Sequence, residues 1–93
     1  MPDLQRMGGA TGFPQAAHVA EAFRVEVSSH LFHEMSLPLL ASLPGASYLE
    51  YMPWFEPLYR QRLELDANGE AAVPSGPGRG FDLDLEAVAR YRF

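Results

Sequence analysis

Residues 24–43, RVEVSSHLFHEMSLPLLASL, pass from strand pattern to helix pattern through a polar turn. Arg24 to Ser28 is short and β-branched, with Val25 and Val27 on one side, as in a strand of about five residues. Ser28-Ser29-His30-Leu31-Phe32-His33-Glu34 follows at once and is the densest polar cluster of the chain. From about Leu37 to Leu43 the pattern is helical, and it stops at Pro44-Gly45. This is one β-α unit, with the polar cluster just past the end of its strand.

The neighbouring segments repeat the unit. Upstream, Phe13 to Phe23 predicts a helix, with Thr11 as its cap and Pro14 in its first turn. Its apolar face is expected on Ala16, Val19, Ala20 and Phe23. Before it, residues 1–12 read as a strand end and a loop that turns at Gly8-Gly9 and Gly12. Downstream, Ser47 to Tyr51, SYLEY, is a further short strand. Strand end, helix, strand, helix, strand is the signature of parallel α/β units. So few units leave two open strand edges, which marks the chain as a portion of something larger.

The pattern changes after Pro53. Arg62 to Asp66 and Glu70 to Pro74 flank Ala67-Asn68-Gly69, and Asn-Gly between alternating runs predicts a β-hairpin. A last helix is expected near Leu85 to Tyr91, capped by Asp82 or Asp84, with Leu85, Val88 and Ala89 inward. The expected organisation is therefore a parallel α/β part over residues 1–53 and an antiparallel segment over residues 54–93.

Composition removes several function classes. There is no cysteine among the 93 residues, hence no disulfide and no thiolate site, which fits a reducing cytoplasm. All seven basic residues are arginine, so no lysine base or P-loop lysine lies in this chain. The net charge of −5 argues against a nucleic-acid partner held through phosphates. No apolar run is long enough for a membrane helix.

Three strand ends each carry an ionisable residue: Asp3, His30 and Glu50. Catalytic groups of α/β barrels gather at such ends. Converging, the three could form a base, its orienter and a carboxylate contact, since a carboxylate bonded to one imidazole nitrogen fixes the tautomer and raises the basicity of the other. Each residue also has a plain reading, as a loop cap, a structural histidine and a surface strand residue. His30, His33 and Glu34 have ligand-like spacing, but HLFHE is not HExxH, and His30 precedes the helix. A metal site there is the lesser reading. Glu34 is expected as a first-turn carboxylate and His33 as partly exposed.

PDLQRMGGATGF at residues 2–13, VSSHLFHEMS at 27–36 and YLEYM at 48–52 together resemble the mandelate racemase / muconate lactonizing enzyme family of the enolase superfamily. The resemblance implies the C-terminal portion of a (β/α) TIM-type barrel, about strands 6 to 8, followed by a hairpin and helix of the capping region. It implies catalytic roles for Asp3 and His30, with Asp3 orienting His30. Glu50 would bind the substrate carboxylate and stabilise the enediolate, and Ser28 and Ser29 would shape the site. Glu50 is then expected to face His30 across the substrate without touching it, and His33 to point away.

The family's chemistry is proton abstraction α to a carboxylate, in acid-sugar dehydratases and 2-hydroxy-acid racemases. Mg²⁺ is the cofactor, and its ligands and the second base, a lysine, belong to earlier strands. This chain has neither, so the resemblance implies a fragment inactive alone, from a cytoplasmic, homo-oligomeric enzyme without membrane or nucleic-acid partners. The alternative is a non-catalytic remnant that serves as a binding or assembly module.

Overall fold

The structure is a computed structural model and describes residues 1–92. Three helices carry it: α1 (Gly9–Ala22), α2 (His33–Ala41) and α3 (Leu85–Arg90). A single 3₁₀ turn spans Glu56–Leu58.

α1 begins earlier than the expected Phe13, because Gly8 and Gly9 take φ of 82° and 74° and let the chain reverse into the helix. Thr11 therefore lies inside the helix rather than capping it, and Pro14 lies beyond the first turn. Gly12 is not a turn residue either. A Cβ there would collide with the Met7 carbonyl, so glycine permits a close approach. The buried stripe is Phe13 and Ala17, with Ala20 beside it. Val19 and Phe23 point outward, Phe23 with 78% of its surface exposed. Two apolar stripes fit the same helical period, and the chain buries the one that meets Leu4, Val27 and Leu40.

The expected strands reduce to isolated parallel bridges, Asp3 to His30 and Val27 to Ala46. Backbone bonds nonetheless run on both sides of residues 27–30. His30 N–H donates to the Pro2 carbonyl at 3.2 Å, Val27 N–H to Gly45 at 2.9 Å and Ser29 N–H to Tyr48 at 3.0 Å. What breaks the ladder is serine. Glu50 N–H goes to Ser29 Oγ and Tyr48 N–H to Ser28 Oγ, both at 3.2 Å, where hydroxyls take amide donors from the ladder. Val25 lies beyond the paired region and is exposed, although Val27 is buried.

Residues after 53 pack on Leu37 of α2 in a second cluster, with Tyr59, Leu63 and Phe81. Among the described residues, antiparallel pairing is limited to two bridges, Tyr59 to Leu83 and Leu65 to Ala71. Around Asn68-Gly69 the chain reverses on Asp66, whose Oδ1 accepts from Asn68 N–H at 2.8 Å and Glu70 N–H at 2.9 Å. Asp84 caps α3 through Glu86 N–H and Ala87 N–H. α3 buries Ala87 and exposes the expected inward residue Leu85.

The chain exposes 6451 Å², against about 5,400 Å² for a compact protein of its mass. Its radius of gyration is 13.9 Å, where about 12 Å is usual at this length. Phe23, Val25, Tyr48 and Trp54 supply part of the excess apolar surface. No helix among the described residues is long and apolar enough to cross a membrane.

Candidate active site

Parallel pairing of residues 2–3, 27–30 and 45–48 brings Asp3, His30 and Glu50 to one end of the three segments. His30 Nδ1 lies 3.0 Å from Glu50 Oε2, and His30 Nε2 lies 3.9 Å from Asp3 Oδ2. The His30 side chain is 40% exposed, so one face of the ring is open to solvent. Asp3 also shapes its own loop: its Oδ1 accepts from Gln5 N–H at 2.9 Å and Arg6 N–H at 3.2 Å.

Contact between Glu50 and His30 corrects the expectation that the two stay apart. The cause is the register. Glu50 is pinned by Ser29 Oγ on the adjacent segment, and Leu31 N–H donates to the same Oε2 at 2.7 Å. One carboxylate oxygen thus accepts from the Leu31 amide and lies 3.0 Å from the His30 ring nitrogen. Ser29 is fully buried, and its hydroxyl holds the Glu50 backbone; Ser28 does the same for Tyr48.

His33, expected partly exposed, is fully buried, and so is Glu34. Nε2 of His33 lies 3.2 Å from Glu34 Oε1 and 4.0 Å from Glu56 Oε1, yet neither ring nitrogen nor either Glu34 oxygen makes a hydrogen bond. Tyr51 packs its ring 4.9 Å from the His33 ring and donates its hydroxyl to Glu56 at 2.8 Å. That bond, then burial and the Glu56 and Glu34 charges, raises the Tyr51 pKa. Neither Tyr51 nor Glu56 was singled out as a candidate; Tyr51 stands next to Glu50, which was the available signal. Glu34 was expected in the first turn of the helix, where it stands, but it is buried rather than facing solvent.

Among the described residues no group of three His, Asp or Glu side chains could hold a metal ion. The Oε2 of Glu50 is committed to His30 and Leu31, and Asp3 to its own turn. The residues present do not fit a magnesium site.

The Enolase C-terminal domain-like family model matches residues 1–88. The chain belongs to this enolase family. Its region of a TIM-barrel-type enzyme is shared with 3,6-anhydro-α-L-galactonate cycloisomerase of Streptomyces coelicolor, 33% identical over 96% of this chain and 25% of that protein. L-talarate dehydratase from Polaromonas sp. JS666, solved with Mg and L-glucarate, superposes with a TM-score of 0.89 at 34% identity, over 100% of this chain and 26% of that one. A mandelate racemase/muconate lactonizing enzyme from Polaromonas sp. JS666 gives 0.87 at 35% identity, over 96% and 24%. Other relatives at 31–33% identity are dehydratases of D-xylonate, talarate/galactarate and D-gluconate. The enolase-family chain thus spans about a quarter of the length of the relatives it matches.

Proposed function

We propose that this chain is the C-terminal portion of an acid-sugar dehydratase or 2-hydroxy-acid racemase, with His30 moving the proton on the carbon α to the substrate carboxylate. The observation that carries the reading is the convergence of Asp3, His30 and Glu50 at one end of three parallel-running segments. Dehydration is the preferred outcome, because dehydratases recur among the relatives. Residues 1–53 form the end of the barrel, about strands 6 to 8, and residues 54–93 a segment with hairpin and helix that packs on barrel and cap.

His30 Nε2 takes the α-proton and then delivers it to the departing β-hydroxyl, which leaves as water; in a racemase it returns a proton to the α-carbon instead. Glu50 Oε2, 3.0 Å from Nδ1, takes over the orienting task expected of Asp3, while Asp3, 3.9 Å from Nε2, balances the imidazolium that forms. Glu50 is the residue that would contact the substrate carboxyl and stabilise the enediolate, an interaction that strengthens as charge develops. Ser29 holds the backbone that presents Glu50. The magnesium of the relatives has no ligand set among residues 1–92, and no step here runs through it.

The test is α-proton exchange in D2O on acid sugars and 2-hydroxy acids. The isolated chain is expected to show none above buffer. A chimera, with this chain in place of the superposing segment of the Polaromonas L-talarate dehydratase, is expected to exchange. His30→Asn then lowers its rate about a thousandfold, the usual weight of a general base. An active chimera indifferent to His30→Asn would refute the reading.

A further inference from the structure

The corner between the candidate site and α2 is held in an unfavourable backbone conformation at two successive residues. Leu31 and Phe32 have φ of 53° and 48°, a left-handed region that side chains disfavour and that glycine takes freely. Such a corner persists only where its surroundings over-determine it. The surroundings here are specific. Phe32 O accepts from Met35 N–H at 3.0 Å and Ser36 N–H at 2.8 Å, and Leu31 O accepts from Ser36 Oγ at 3.3 Å. The Phe32 ring stacks on Phe55 with centroids 4.5 Å apart and planes 28° apart. The left-handed pair folds the chain back so that both carbonyls enter α2 while the Leu31 N–H stays directed at Glu50 Oε2.

We propose that Phe32 is a positioning residue: its stack on Phe55 holds the left-handed corner that keeps the Leu31 amide on Glu50, and so keeps Glu50 on His30. The inference rests on the proton-transfer role proposed above for His30. It assigns a task to the segment after residue 53 as well, because Phe55 meets the corner through this stack. Tyr51 packs on His33, the residue that follows the corner.

Site-resolved amide hydrogen exchange on the 93-residue chain tests it. Glu50→Gln should speed exchange at Leu31 about tenfold, because a charge-assisted bond becomes a neutral one. Phe32→Ala should speed it by a similar factor, since alanine keeps the penalty of the left-handed corner and loses the stack. Phe32→Gly is the discriminating variant. It also loses the stack, but glycine carries no such penalty, so protection should return to within about threefold of the parent. The Ala17 amide of α1 should not change in any of them. If Phe32→Ala loosens α1 as well, Phe55→Leu removes the stack from the far side and should give the same tenfold loss at Leu31. Faster exchange in Phe32→Gly than in Phe32→Ala would make Phe32 a packing residue only and overturn the proposal. Leu31 exchange indifferent to Glu50→Gln would overturn it too. Amide exchange involves no substrate, so its failure leaves the His30 reading standing, and a chimera without α-proton exchange leaves the corner standing.

Discussion

His30 and His33 stand three residues apart and each faces a carboxylate, at 3.0 Å and 3.2 Å. Their surroundings are opposite. His30 is 40% exposed and meets carboxylates from two other segments of the chain. His33 is buried, and its nearest carboxylate is the next residue. Adjacent residues on a helix do not face each other, so the His33–Glu34 approach lacks hydrogen-bond geometry and leaves four buried polar atoms without partners. A short distance between the same two chemical groups thus stands at a solvated segment end in one place, where Glu50 also accepts from Leu31 N–H, and in the interior without hydrogen bonds in the other. What separates them is the left-handed corner at Leu31 and Phe32, which sends one imidazole to the open end and the other into the interior.

The largest expected effect lies on the buried side. His33→Leu removes one member of the pair and leaves Glu34 buried alone, at a cost of about 3 kcal/mol. The double variant His33→Leu/Glu34→Met replaces both by apolar groups of similar size and should come back to within about 1 kcal/mol of the parent. Urea unfolding of the chimera measures both. A double variant as unstable as the single one would mean that the pair is coupled favourably, and the contrast with His30 would vanish.

On the open side the same kind of change should behave in reverse. Glu50→Gln is expected to cost under about 1 kcal/mol of stability, the range of partly solvated ion pairs. Its effect on α-proton exchange by the chimera should be much larger, at least about a hundredfold, as for a donor or acceptor aimed at developing charge. A loss of stability like that of His33→Leu would place Glu50 with the structural carboxylates instead.

Much of the site was legible in the residues, and the reason is topological. Parallel units of similar length bring their strand ends to one side, so Asp3, His30 and Glu50 could be placed together from spacing. Their contacts could not. The register that presses Glu50 onto His30 depends on a serine hydroxyl taking a backbone donor, and a serine after a strand does not announce that choice. Burial of His33 was hidden for a similar reason. It follows from positive φ at a leucine and a phenylalanine, residue types that rarely signal a left-handed turn. On α1 the helical period was correct, but two apolar stripes satisfied it, and only contact with Leu4 and Leu40 selects Phe13 and Ala17. The expected strands shrank to single bridges because so few segments, with serine side chains between them, cannot sustain a ladder.

The smallest effect concerns how far the buried carboxylate is felt. Tyr59 is buried beneath α2 in the second cluster, packed against Leu37 and Phe81. Its phenol pKa is raised above the ordinary 10.0, first by burial and then by the Glu34 charge, while Arg79 pulls it back down. The Arg79 guanidinium carbon lies 5.9 Å from the Tyr59 ring centroid. The sign follows from the direction. A phenol whose folded pKa is raised contributes stability that is fully present below about pH 10 and is lost as the pH climbs through the raised folded value. Tyr59→Phe should therefore flatten the alkaline end of the stability profile and leave neutral pH unchanged. Glu34→Gln should move the Tyr59 midpoint down toward its ordinary value, and Glu50→Gln should not move it. Ultraviolet absorbance of tyrosinate reads the midpoint, in a Tyr51→Phe background because the Glu56 bond raises that phenol as well. The two carboxylates differ in whether their charge acts inward on the core or outward at the open end. A Tyr59 midpoint that follows Glu50 rather than Glu34 would reverse that assignment.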